Sequence, residues 1–177
     1  MVKTDAVPWL TEGELRVWRA LVVATGSLMA SLDAELQAEH GLSLAEYEVL
    51  VGLSEEPSRS VRMTDLASLL HLSPSGLTRR LDTLVRRGWV RRERCPSDRR
   101  GSFAVLTDEG YVRLEEAAPT HVRGVREHFL SQLSPRQLAN LGAALNAITP
   151  EHPMGSCSDH VKATPAEIEE VKRASRR

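Results

Sequence analysis

The chain has 177 residues, 23 Lys and Arg against 24 Asp and Glu, and a formal net charge of −1. At roughly 100–200 residues per domain this is one domain with an extension, and its balance of apolar and charged residues suits a globular protein better than a disordered one. No uninterrupted apolar run approaches the ~18 residues of a membrane span, no apolar core for export follows Met1, and two cysteines, Cys95 and Cys157, make no disulfide framework, so a cytoplasmic protein is expected.

Residues 11–39 are predicted to form one long helix. Leu15, Trp18, Val22, Thr25, Met29, Leu32 and Leu36 follow alternating steps of three and four, and Val17, Leu21, Ala24 and Leu28 form a second stripe beside them. Such a helix is roughly 43 Å long, more than a domain of this size needs, and its two apolar faces point to packing on its own domain and on a second copy. His40-Gly41 ends it, with Gly41 suited to the left-handed terminal position. Ser43-Leu-Ala-Glu46 is a capping box that opens a helix to Ser54, and residues 55–58 read as a loop.

Thr64 is expected to cap a short helix over 65–70, followed by a tight turn at His71-Leu72. Ser73 then caps a helix with Pro74 in its first turn, which runs to Arg87 and stops at Gly88. Leu77, Leu81, Leu84 and Val85 form its inner side. Steps of 100° put Ser75, Arg79, Asp82 and Arg86 on the opposite side. Two helices joined by a turn, the second carrying arginine outward, make a helix-turn-helix, and a helix ~10–12 Å across fits the ~12 Å major groove of DNA.

A hairpin follows. Residues 89–94 read as a strand, residues 95–101 as a turn tipped by Arg99 and Arg100, and residues 102–106 as the returning strand. Thr107 caps a helix to Leu130, bent at Pro119, and Ser134-Pro135 opens a last helix to Ile148. Residues 149–177 hold three prolines and few large apolar groups and are expected to form a mobile tail. Charge is segregated along this order. Residues 1–56 carry a net −7, whereas residues 79–100 carry nine arginines and a net +6, a concentration suited to a phosphate surface.

These pieces, in this order, resemble the MarR family of bacterial transcription regulators. The resemblance rests on Met63-Thr-Asp-Leu-Ala67, Leu72-Ser-Pro-Ser75, Leu77-Thr-Arg79 with Leu81-Asp82, Arg87-Gly88-Trp89-Val90, and Asp98-Arg-Arg100 followed by Val105-Leu-Thr107 and Gly110. It covers about residues 10–148. It implies a mainly α fold with a small β-hairpin wing: a winged helix-turn-helix lobe over 43–106, and a helical dimerisation region over 10–40 and 108–148. It further implies a homodimer that reads pseudo-palindromic double-stranded DNA, commonly as a repressor, and a small, often aromatic or anionic, effector that releases the DNA.

Roles follow as expectations. Ser75, Thr78 and Arg79 lie nearest the groove floor; Arg79 is suited to a bidentate contact with guanine, and Thr78 to a phosphate or a thymine methyl. Ser73 is mainly a cap, with a phosphate as the other option, and Arg86 is a backbone contact or a plain surface charge. Arg100 resembles the wing residue that enters the minor groove, with Arg99 beside it. Asp98 and Asp82 are read as carboxylates that orient arginines. Trp18, Tyr47 and Glu48 are expected to line an effector pocket. No cofactor is called for and no catalytic motif is present. A zinc-responsive regulator of the same fold is the alternative, but His121 and His128 are seven residues apart, Glu39-His40 has no paired histidine one turn away, and His152, Cys157 and His160 fall in the tail. A winged-helix module that binds only protein is the other alternative, disfavoured by the outward Arg79. Neither cysteine suits a redox sensor.

Overall fold

A computed structural model describes residues 7–94 and 101–148. The order is α1 (Glu12–His40), α2 (Leu44–Ser54), β1 (Ser60–Arg62), α3 (Met63–Leu69), α4 (Pro74–Arg86), β2 (Val90–Arg94), β3 (Ser102–Leu106), α5 (Asp108–His128), a single 3-10 turn (Leu130–Gln132) and α6 (Pro135–Ile148). Caps set most boundaries. Thr11 and Ser43 each close a capping box, with Glu14 and Glu46, and Gly41 ends α1 at φ 61°, where its amide reaches back to Gln37. Thr107 Oγ1 accepts from Gly110 at the start of α5.

The hairpin expected from the sequence is part of a larger sheet. β1 pairs antiparallel with β3, which pairs antiparallel with β2, giving the order β1-β3-β2. Ser60 lies opposite Val105, and Val90 opposite Leu106. β1 falls between the loop expected over 55–58 and the cap expected at Thr64, in a stretch with no expected element, because three residues are too few for a period-two signal; its place comes from pairing with β3. The expected Thr64 cap is also corrected. α3 starts at Met63 with Arg62 in the cap position and no side-chain cap bond, and the Thr64 hydroxyl donates to Asp65 instead. The strand runs straight into the helix, so sheet pairing fixes the entry. α5 stops at His128, two residues before the expected end, and the 3-10 turn follows. The presumed tail lies outside the described residues.

The core gathers where α1, α2 and α5 meet the winged lobe. Leu36, Leu42, Leu50, Leu53, Leu66, Leu77, Leu81 and Leu84 are fully buried. Of α1 only Leu32 and Leu36 are buried; Val17 is 71% and Trp18 56% exposed, and Leu21, Val22, Val23 and Met29 are exposed as well. α6 buries nothing, and Leu138, Leu145 and Ile148 face outward. By length and composition α1 is apolar enough to cross a membrane, although it holds no uninterrupted apolar run of that length: Ala, Gly, Ser and Thr are interspersed, and residues 20–32 carry no charge.

Polar groups stitch the lower third of α1 to α5. Glu35 pairs with His128 at 2.5 Å, and Glu39 bonds Thr120 and Arg123. Gly124 lets the two helices approach, since a Cβ there would lie 2.7 Å from Leu32 and 2.6 Å from the Glu35 carboxylate.

The joint between wing and α5 is tighter. Thr107 N donates to the Trp89 carbonyl at 3.1 Å, and Thr107 Oγ1 lies 2.8 Å from the Gly88 carbonyl and 3.0 Å from that of Trp89. A Cβ on Gly110 would stand 2.1 Å from that same oxygen. Backbone cannot yield as a side-chain tip can, so Gly110→Ala is expected to cost about 3 kcal/mol, the upper end of overpacking, and Gly124→Ala less. Thermal or urea unfolding of the two variants checks the order.

Candidate nucleic-acid interface

α4 is held on its inner side and free on its outer one. Leu77, Leu81 and Leu84 are wholly buried, whereas Ser75, Thr78, Arg79 and Arg86 are exposed. Ser73 is the N-cap: its Oγ accepts from Gly76 N at 3.1 Å and lies 3.2 Å from Ser75 Oγ. The Thr78 hydroxyl donates to the Pro74 carbonyl at 2.8 Å, so its proton is spent on the backbone and its methyl is the group left to offer. Arg86 donates to Thr83 Oγ1 at 3.1 Å and so lies back along the helix. Arg79 makes no hydrogen bond or ion pair with any described residue and is the unengaged cation of this face.

Asp82 pairs with an arginine. Its carboxylate accepts from Arg92 Nη2 at 2.7 Å, and the same nitrogen lies 3.3 Å from the Thr78 carbonyl. Arg92 belongs to β2, so one guanidinium ties the recognition helix to the wing. The sequence reading did not single out Arg92, although a signal was present. Val90 is buried, and period-two alternation puts Arg92 and Arg94 on its side of the strand, towards α4. Arg91 and Glu93 pair on the other side at 2.9 Å. Asp98, Arg99, Arg100 and Cys95 lie outside the described residues, as do His152, Cys157 and His160.

The expected effector residues do not converge within one copy of the chain. Leu44 N donates to Asp33, so α2 begins level with residue 33 of α1. Trp18 is fifteen residues earlier, roughly 22 Å along the helix axis at 1.5 Å per residue. Tyr47 is buried, its ring 4.7 Å from that of His121. Burial pushes the His121 pKa down, which favours the neutral ring in that stack. Glu48 lies 3.9 Å from Arg80 and joins α2 to α4; burial raises its pKa and Arg80 opposes the rise.

A cavity of about 380 Å³ opens elsewhere, lined by Glu39, His40, Leu42, Trp89, Arg113 and Glu116. The Arg87 guanidinium lies 4.8 Å from the Trp89 ring centroid and donates to the Gly41 carbonyl at 2.8 Å. Among the described residues no three metal-ligating side chains are gathered: His121 stacks on Tyr47 and His128 is held by Glu35.

A two-helix turn unit with a three-stranded sheet beside it, arginines outward on both, defines a winged helix-turn-helix of the nucleic-acid-binding class. The MarR family pattern matches residues 42–102. The chain is 31% identical over 140 residues to the HTH-type transcriptional regulator PecS of Dickeya dadantii, covering 76% of this chain and 84% of that one. Among solved structures it superposes on Sco3205, a MarR family regulator of Streptomyces coelicolor in complex with DNA, with a TM-score of 0.76 and 43% identity over 81% of this chain and 90% of that one. AbsC, a MarR family regulator of the same organism, gives 0.74 and 41% over 80% and 95%. The chain belongs to the MarR family of transcriptional regulators.

The Asp82–Arg92 pair makes a prediction against simple electrostatics. Removing an acid beside a polyanion should strengthen binding. Instead Asp82→Ala is expected to weaken duplex DNA binding about tenfold, because Arg92 and the wing lose their fixed position, while stability changes by less than ~1 kcal/mol, as for other half-exposed pairs. Fluorescence anisotropy with labelled DNA, alongside thermal unfolding, checks both.

Proposed function

We propose that the chain works as a homodimer that binds pseudo-palindromic double-stranded DNA and represses transcription by occupying it. The observation that carries this reading is Arg79. It stands on the exposed side of a helix anchored by buried leucines and makes no hydrogen bond or ion pair with any described residue. A free guanidinium in that position suits the O6 and N7 of guanine. Arg92, fixed by Asp82, sets the wing alongside, and the sequence resemblance assigns Arg100 to the narrow groove, with Arg99 beside it. Ser73 and Ser75 sit where a phosphate passes the helix N-terminus, and Arg86 follows the backbone.

The exposed apolar length of α1 supports the dimer. Val17, Trp18, Leu21, Val22 and Met29 form a surface that one copy leaves open, and Leu138, Leu145 and Ile148 of α6 add to it. Contiguous apolar surface of this kind marks an interface. A two-fold pair would carry two copies of α4, and half-sites about one helical turn apart then follow from symmetry. A small effector acting between the helical frame and the winged lobe completes the regulatory reading.

Arg79→Ala is expected to lose about 1–3 kcal/mol of discrimination at one base pair of each half-site, with thermal stability unchanged. Anisotropy against a panel of single-base variants of the DNA upstream of its own gene measures this; equal affinity of variant and parent for every sequence sinks the assignment. Leu21→Glu is expected to keep the helical content of each chain, to sediment as a monomer, and to lose binding to the full two-half-site DNA.

A further inference from the structure

The two flanks of α4 are not held alike. From Leu77, steps of 100° put Thr78 and Asp82 on one flank and Arg80 and Arg87 on the other, with Arg79 and Arg86 between them on the outer side. The wing covers the first flank, where Arg92 donates to Asp82 at 2.7 Å and lies 3.3 Å from the Thr78 carbonyl. α2 covers the second. Its Glu46 stands 4.0 Å from Arg87 and its Glu48 3.9 Å from Arg80. A helix ~10–12 Å across, lying in a major groove ~12 Å wide, has a phosphate backbone beside each flank.

Of the two arginines on the second flank, Arg87 is committed. It donates to the Gly41 carbonyl at 2.8 Å and lies 4.8 Å from the Trp89 ring centroid. Arg80 is not. It makes no hydrogen bond with any described residue, and none of its nitrogens is a buried atom left without a partner, so its donors are open to water. Glu48 stands beyond hydrogen-bond distance, and the two side chains are 28% and 47% exposed. A pair so long and so open contributes little. Burial raises the pKa of Glu48 and Arg80 opposes the rise, yet the carboxylate still meets solvent once the cation leaves.

We propose that Arg80 is a DNA contact held in store: in the free protein it rests on Glu48, and on a duplex it passes to a backbone phosphate along the flank of α4 away from the wing. A guanidinium on a phosphate makes charge-assisted, two-pronged hydrogen bonds and releases counterions from the DNA, neither of which the loose pair with Glu48 supplies. Glu48 is then a brake on DNA binding. It differs in this from Asp82, whose hydrogen-bonded hold on Arg92 aids binding. Arg80 differs from Arg79 as well. A phosphate contact adds affinity for every sequence, whereas a base contact discriminates among them. The inference rests on the reading of the chain as a DNA-binding regulator.

Fluorescence anisotropy over a salt series, with the full-length protein on upstream DNA and on an unrelated duplex, tests the exchange. Glu48→Gln is expected to tighten binding about two- to fivefold per subunit, the reach of a half-exposed ion pair. Arg80→Ala is expected to weaken binding to both duplexes and to flatten the slope of log affinity against log salt by about 0.9 per subunit. Arg80→Lys keeps the charge and is expected to keep the slope. In the double variant Glu48→Gln, Arg80→Ala the gain from Glu48→Gln is expected to vanish. A gain of equal size with and without Arg80 marks Glu48 as a plain repulsive charge and overturns the proposal. So does a slope that Arg80→Ala leaves unchanged or that Arg80→Lys fails to keep. Weaker binding by Glu48→Gln overturns it too, since the pair is then a strut that positions α4. Absence of binding by the parent protein to either duplex is instead a failure of the earlier reading.

Discussion

The constraint on which the rest of the structure depends is the length of α1. It has 29 residues, and only Leu32 and Leu36 near its C-terminal end are buried within the chain. The stretch before them is an uncharged apolar rod from residue 20 to residue 32, with Val17 and Trp18 beyond it. Leaving large side chains such as these in water forgoes ~1.5–3 kcal/mol each relative to burial, which makes a second copy the simplest cover. In the proposed dimer that cover also does geometric work, because whatever fixes two copies of α1 against each other fixes the separation of two copies of α4. The Glu35–His128 and Glu39–Thr120 bonds then matter beyond their own energy: they lock α1 to α5 and so transmit the dimer geometry towards the winged lobe.

The DNA-binding lobe shows how acids serve a basic surface. Asp82 sits among arginines and would repel phosphate if it acted alone. Paired with Arg92 it gives the wing a fixed bearing on the recognition helix. Glu93 pairs with Arg91 within β2, on the side of the strand away from α4. Arg79 has no such restraint among the described residues. Trp89 and Thr107 tie this lobe to α5 through one carbonyl, which is why Gly110 has no room for a side chain.

Much of this was legible in the sequence, because it depends on local rules. Ser43, Ser73 and Thr107 cap helices from their own hydroxyls, and Gly41 ends one through its left-handed backbone, so each boundary is written within four residues. Leu77, Leu81 and Leu84 reveal the buried side of α4 by spacing alone. What was not legible depends on partners distant in sequence. β1 exists because β3 pairs with it. Thr64 is of a capping residue type, but the strand that runs into α3 sets the helix entry at Arg62. Tyr47 meets His121 from 74 positions away, and the ring stack that buries it has no local signature. The cavity under Trp89 combines residues of α1, its connector and α5 with the residue after α4, a gathering that no single stretch of sequence encodes.

The central claim is that two copies of α1 cover each other and thereby hold two recognition helices at the spacing of adjacent major grooves. Pulsed electron-paramagnetic-resonance distance measurement tests it directly, with a nitroxide on Ser75→Cys in a protein whose Cys95 and Cys157 are replaced by serine. The account predicts one dominant inter-subunit distance of roughly 34 Å, the rise of one turn of B-DNA, which sharpens on adding operator DNA. The absence of any inter-subunit coupling, or a dominant distance that two successive major grooves cannot meet, would contradict it.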